Sequence, residues 1–168
     1  MNTLQYVTNL HIQQSLRGFL DISHWEKAMA VTLTMKQALG GRHYVPINEE
    51  DCTQNLRHAL NLLNRKLFGN NFRRKNRRIE VIPTLELDSS GRYHYHLALN
   101  VPAHFPFLRC FFELRSIWQK TRWGHKIADF DRMRDPGWVD YITKIDSLYG
   151  YSDKIDWANL HLCNPSVV

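Results

Sequence analysis

The stretch RYHYHLALN, residues 92–100, sets His94 and His96 two positions apart at the start of an apolar run, and Glu86 lies just upstream. On an extended chain, residues two apart share a face. If Ser89, Ser90 and Gly91 form a three-residue hairpin loop with Gly91 left-handed, Asp88 pairs with Arg92, Glu86 with His94 and Thr84 with His96. Two imidazoles and a carboxylate then converge. They supply three ligands to a divalent cation and leave positions for water or a phosphate oxygen, as a catalytic metal needs and a closed structural site does not. An H-x-H pair on a half-exposed strand is equally compatible with two solvated side chains, so the opposed carboxylate carries the metal reading.

A second constellation is DYITKID, where Tyr141 precedes Lys144 by three residues. On a helix the two are neighbours on one face, where the ammonium favours the phenolate or meets the phosphate it attacks. The same spacing also suits an amphipathic helix with a half-buried tyrosine and a solvated lysine.

These residues need elements to hold them. Residues 28–36, AMAVTLTMK, alternate cleanly and predict a strand with Met29, Val31, Leu33 and Met35 on one face and Ala30, Thr32 and Thr34 on the other. After a Gly-containing loop, Asn48 and the acidic Glu49, Glu50 and Asp51 mark a helix start. Cys52, Leu56, Leu60, Leu63 and Leu67 then recur at helical spacing up to Gly69. Residues 78–88 predict a strand that Pro83 confines to an edge or a bulge, and residues 92–100 return antiparallel to it. Pro106 opens a helix from about Phe107 to Arg122, striped by Phe107, Phe111, Leu114 and Trp118; HKIADFDR predicts a further strand. A last helix starts at Asp135 and Pro136 and carries Tyr141.

The fold expected is α+β, an antiparallel sheet of about four to five strands with helices on one face, the other face open, in a split βαβ, ferredoxin/RRM-like layout with the tyrosine on a helix after the sheet. Residues 1–27 form an amino-terminal arm, 28–148 the domain proper, and 149–168 a tail that Trp157 would anchor.

The chain has 168 residues, enough for one domain, and a formal charge of +6. Such a charge favours a polyanionic partner. Arg73, Arg74, Lys75, Arg77 and Arg78 form a basic run suited to a DNA backbone, and Trp118 and Trp123 lie among basic residues farther on, Trp118 on the helix stripe of the core. Three scattered cysteines argue against a disulfide framework or a zinc knuckle. No signal peptide or long apolar run is legible, so a cytoplasmic location without membrane contact is expected.

Taken in order, VTLTMK, HYH and YITK resemble the motifs of the HUH endonucleases, in particular the single-tyrosine replication-initiator (Rep) branch of rolling-circle replication. The resemblance spans roughly residues 28–148. It implies a metal held by His94, His96 and Glu86, with Mn²⁺ or Mg²⁺ as the ion. It further implies Tyr141 as nucleophile with Lys144 beside it, and a structural or DNA-facing role for the strand of Thr32 and Thr34. The implied reaction nicks and joins single-stranded DNA at an origin sequence or hairpin through a 5′-phosphotyrosyl intermediate, for a plasmid or a phage. The chain contains no GxxxxGK[ST] phosphate loop, so unwinding would fall to a host helicase and extension to a host polymerase. A transposase or conjugative relaxase, a metal-dependent hydrolase using water, and a non-catalytic single-strand binding module are the alternatives.

Overall fold

The computed structural model describes residues 15, 18–40, 44–133 and 154–163. The helix expected from Asp135, with Tyr141 and Lys144, lies outside the described residues. Four antiparallel strands form the main sheet: β1 (Ala28–Met35), β4 (Glu80–Leu87), β5 (Tyr93–Asn100) and β6 (Gly124–Arg132), in the order β4-β5-β1-β6. Two long helices, α1 (Glu49–Phe68) and α3 (Phe107–Lys120), pack on one face. The architecture is the α+β sheet with helices on one face that the alternation implied.

Met29, Val31, Leu33 and Met35 of β1 and Tyr95, Leu97 and Leu99 of β5 are buried against the helices. Helix α1 meets them with Cys52, Leu56, Leu60, Leu63 and Leu67, and α3 with Cys110, Phe111, Leu114 and Trp118. Asn48 caps α1 by accepting the Asp51 N–H at 2.8 Å, with three acidic residues in the first turn at the positive end of the dipole. Gly69 ends it at φ +54°, its N–H bonded to the Arg65 carbonyl. Gly124 starts β6 so close to α3 that a Cβ there would lie 1.8 Å from the Trp118 carbonyl oxygen.

Several expectations need correction. Part of the loop after β1 pairs as a two-stranded ladder, β2 (Ala38–Leu39) with β3 (Val45–Pro46). The basic run is not a plain loop: Arg73 and Arg74 close a short helix, α2 (Asn70–Arg74). The second sheet face is only partly open, because Leu20, Ile22 and Trp25 pack with Ile82, Ala98 and Ile155 across it. The amino-terminal arm therefore contributes core, its three apolar residues covering the small side chains of that face. Trp157, 45% exposed beside Phe19, is not the anchor of the tail. That role falls to Ile155, buried, and to Asp156 and Asn159: Asp156 accepts from the Tyr95 hydroxyl at 2.8 Å and from Asn159 at 2.7 Å. Trp123 is buried in the core and offers no face for base stacking, while Trp118 is core as expected, its indole N–H donating to the Thr34 carbonyl.

Pro83 does lie on an edge strand. The tail runs beside it, with Val81 bridged to His161 and Thr84 to Ile155, and the Pro83 carbonyl accepts the Asp156 N–H. Among the described residues, no helix is long and apolar enough to cross a membrane.

Candidate metal centre

The hairpin register follows the expectation. Asp88 N–H bonds the Arg92 carbonyl, Gly91 N–H bonds the Asp88 carbonyl, and Gly91 sits at φ +75°. Glu86 opposes His94 and Thr84 opposes His96. Asp88 is spent on the turn: its Oδ1 accepts from Ser90 and Arg92. Glu80 is occupied at the other end of β4 by Asn100, His24 and the Cys163 N–H. Glu86 is therefore the acid left to face the histidines.

Its Oε2 lies 3.0 Å from His96 Nε2 and 3.3 Å from His94 Nε2, and the two rings stand edge to face at 4.9 Å between centroids. Ligand atoms of Glu86, His94 and His96 all fall within 4.8 Å of one another. Burial, then the neighbouring His94, holds His96 below its ordinary pKa despite the pull of Glu86. The contact of His96 with Glu86 is accordingly a hydrogen bond from a neutral ring rather than an ion pair, and a neutral ring is the form that can ligate. Two borderline nitrogens and one hard oxygen, half-buried and gathered on one side of a sheet, are a donor set that could hold a divalent cation.

Strand β1 supports this set from behind. It pairs with β5 so that Thr32 opposes His96 and Thr34 opposes His94. Thr32 Oγ1 lies 3.1 Å from His96 Nδ1. When Nε2 carries the proton, Nδ1 accepts from the hydroxyl; when Nε2 is a ligand, Nδ1–H donates to it. Either tautomer keeps the same ring orientation. Thr34 donates to the Ile127 carbonyl at 2.6 Å and meets His125 Nδ1 at 3.2 Å, tying β6 to the same face. His125 is thereby satisfied structurally, and Asp129 caps the Phe130 N–H.

One neighbour was invisible in the sequence. Lys154 Nζ stands 4.0 Å from Glu86 Oε1, carried there because the Lys154 carbonyl accepts the Leu85 N–H. Nothing in its local sequence marks it; the tail's pairing with the edge strand brings it in. The basic run is not gathered with the histidines. Arg73, Arg74, Lys75 and Arg77 are exposed around α2 and the entry to β4, and Arg78 is half-buried over the Phe72 ring at 5.0 Å. Six residues of strand, roughly 20 Å, separate that entry from Glu86.

Residues 28–146 match a family of replication-associated proteins of the ORF2 type. The chain belongs to that family. Its matched region begins at β1 and runs past the sheet to include Tyr141 and Lys144, so the histidine strand and the Thr32 strand both lie inside it. No curated protein and no solved structure matches the chain. Membership connects it with replication, and the Glu86, His94 and His96 cluster lies on the half-open face of a replication-associated fold.

Proposed function

We propose that this chain is an HUH-type nickase that opens rolling-circle replication of a plasmid or phage by cutting single-stranded DNA at an origin sequence or hairpin. The observation that supports this best is the convergence of Glu86, His94 and His96 in a replication-associated chain, with Thr32 fixing the His96 ring. A divalent cation, Mn²⁺ or Mg²⁺, would supply Lewis-acid polarisation of the scissile phosphate when bound there. A mixed imidazole and carboxylate set suits Mn²⁺ somewhat better.

Tyr141 is the nucleophile in this reading. Its oxygen forms a bond to phosphorus, the bond from phosphorus to the 3′ oxygen breaks, and that oxygen leaves with a proton as a 3′-hydroxyl that can prime a polymerase. The 5′ phosphate stays on the tyrosine, and the reverse step rejoins ends. Lys144 lowers the cost of the phenolate or meets the phosphate. Lys154 adds a second positive charge beside Glu86. Arg73, Arg74, Lys75, Arg77 and Arg78 hold the strand away from the scissile bond.

The test mixes the protein with labelled single-stranded oligonucleotides and Mn²⁺ and resolves the products on a denaturing gel. The expected product is a slow-migrating covalent species that disappears with EDTA and with Tyr141→Phe. Glu86→Gln should lose both cation binding and the adduct, whereas Tyr141→Phe should lose the adduct alone. Cleavage without an adduct would mean a water-using hydrolase. Binding without cleavage at any sequence would mean a passive single-strand binding module.

A further inference from the structure

On the helix side of the molecule, where α1, the entry to β4 and the tail meet, lies a cavity of about 340 Å³. Its polar wall is formed by Arg57, Asn61, Asn64, Arg78, Asn159 and His161. It is distinct from the metal centre: Ile79 and Val81 turn toward the helices, while Glu86 turns to the opposite sheet face.

The charge of this wall is one-sided. Among the described residues, neither Arg57 nor Arg78 has a carboxylate within ion-pair distance. Arg78 is instead held by neutral groups, its Nε donating to Asn76 at 3.0 Å and its Nη1 to Asn61 at 3.2 Å, with the guanidinium over Phe72. That fixes the fork and leaves its charge uncompensated. Burial, then Arg78, keeps His161 below its ordinary pKa, so it lines the wall as a neutral ring.

A second observation points to a ligand. Asn64 is 3% exposed and spends its Oδ1 on the Ile79 N–H at 2.7 Å, yet its side-chain N–H groups donate to nothing among the described residues. A buried amide donor without a protein acceptor costs free energy unless something that enters the cavity accepts from it. Two unpaired guanidiniums and a spare amide donor fit an acceptor-only anion, and phosphate is the anion for which the arginine fork is shaped. The volume exceeds what a lone phosphate fills, leaving room for the attached sugar.

We propose that this cavity binds a backbone phosphate, with its nucleotide, of a nucleic-acid strand at a point remote from the histidine cluster. The basic run lies at its mouth and extends the same field along the strand's path. The assignment of the strand rests on membership of a replication-associated family and not on the nicking chemistry.

The test follows the Asn61 and Asn64 side-chain amide resonances of ¹⁵N-labelled full-length protein in EDTA. The probes are inorganic phosphate, a deoxynucleoside 5′-monophosphate and a single-stranded oligonucleotide. The oligonucleotide should shift both amides. Arg57→Gln, at an exposed position on α1, should weaken its binding about tenfold and lower the salt slope by about one ion. Shifts with phosphate or the monophosphate but not with the oligonucleotide would make the site one for a free anion and overturn the strand assignment. No shift with any probe, or Arg57→Gln binding like the wild type, would overturn the site itself. Because EDTA removes the nicking reaction, these outcomes are read independently of whether the covalent adduct forms.

Discussion

Thr32 Oγ1 and Glu86 Oε2 engage opposite nitrogens of one imidazole, at 3.1 Å from His96 Nδ1 and 3.0 Å from His96 Nε2. Two neighbouring strands thus fix the plane of a ring that a third strand carries, and a carboxylate and a hydroxyl together decide which nitrogen faces outward.

Replacing that hydroxyl should act through orientation. Thr32→Val keeps the volume and removes the Nδ1 partner, so Mn²⁺ affinity should fall about 10- to 100-fold with little change in the fold. Thr32→Ser should restore most of it. Mn²⁺ binding measured by electron paramagnetic resonance checks both, and equal affinity in Thr32→Val and wild type would leave the hydroxyl without a role at the site.

Lys154 presents the opposite case, a positive charge competing with a cation for Glu86. Lys154→Met should tighten cation binding about 2- to 5-fold, a modest effect because the ammonium is partly solvated. If the lysine also meets the phosphate, the same variant should cleave more slowly at saturating metal. Calorimetric titration and single-turnover cleavage separate the two effects.

Gly124→Ala should cost about 1–3 kcal/mol of stability, since the new methyl meets the Trp118 backbone carbonyl rather than a side chain able to move. Urea denaturation should show a lower midpoint with an unchanged slope.

Glu80 links stability to acid. Burial opposes its ionisation, but hydrogen bonds from Asn100, the Cys163 N–H and His24 outweigh burial and hold its pKa below the ordinary range. The unfolded chain therefore takes up this proton first, at the ordinary carboxylate pKa of about 4.3. The stabilisation is complete above that value and is lost as pH falls through the lower folded pKa. Glu80→Gln should melt about 2–4 °C below wild type at pH 7, and the gap should close as the pH drops below about 4, as followed by circular dichroism.

The repeating patterns were legible because they depend on local geometry alone. The period-two alternation of Met29, Val31, Leu33 and Met35 is enough to assign a buried face to β1, and the turn chemistry of Asp88 and Gly91 is enough to set the register that brings Glu86 against His94. Once that register is known, the cluster follows from strand pairing without any long-range contact.

The sheet, its two long helices and the Glu86, His94 and His96 set are therefore readable along the chain, all of them products of hydrophobic period and a three-residue turn. Tertiary packing settled the rest: Thr32 backs His96, Lys154 reaches Glu86, residues 20–25 cover part of the second face, and Arg57 and Arg78 share a cavity with Asn64. These meetings join segments far apart in the chain, with no periodic signal between them. They depend on which strand neighbours which and on where the tail pairs, a choice made by the burial of the whole sheet rather than by any local stretch of chain.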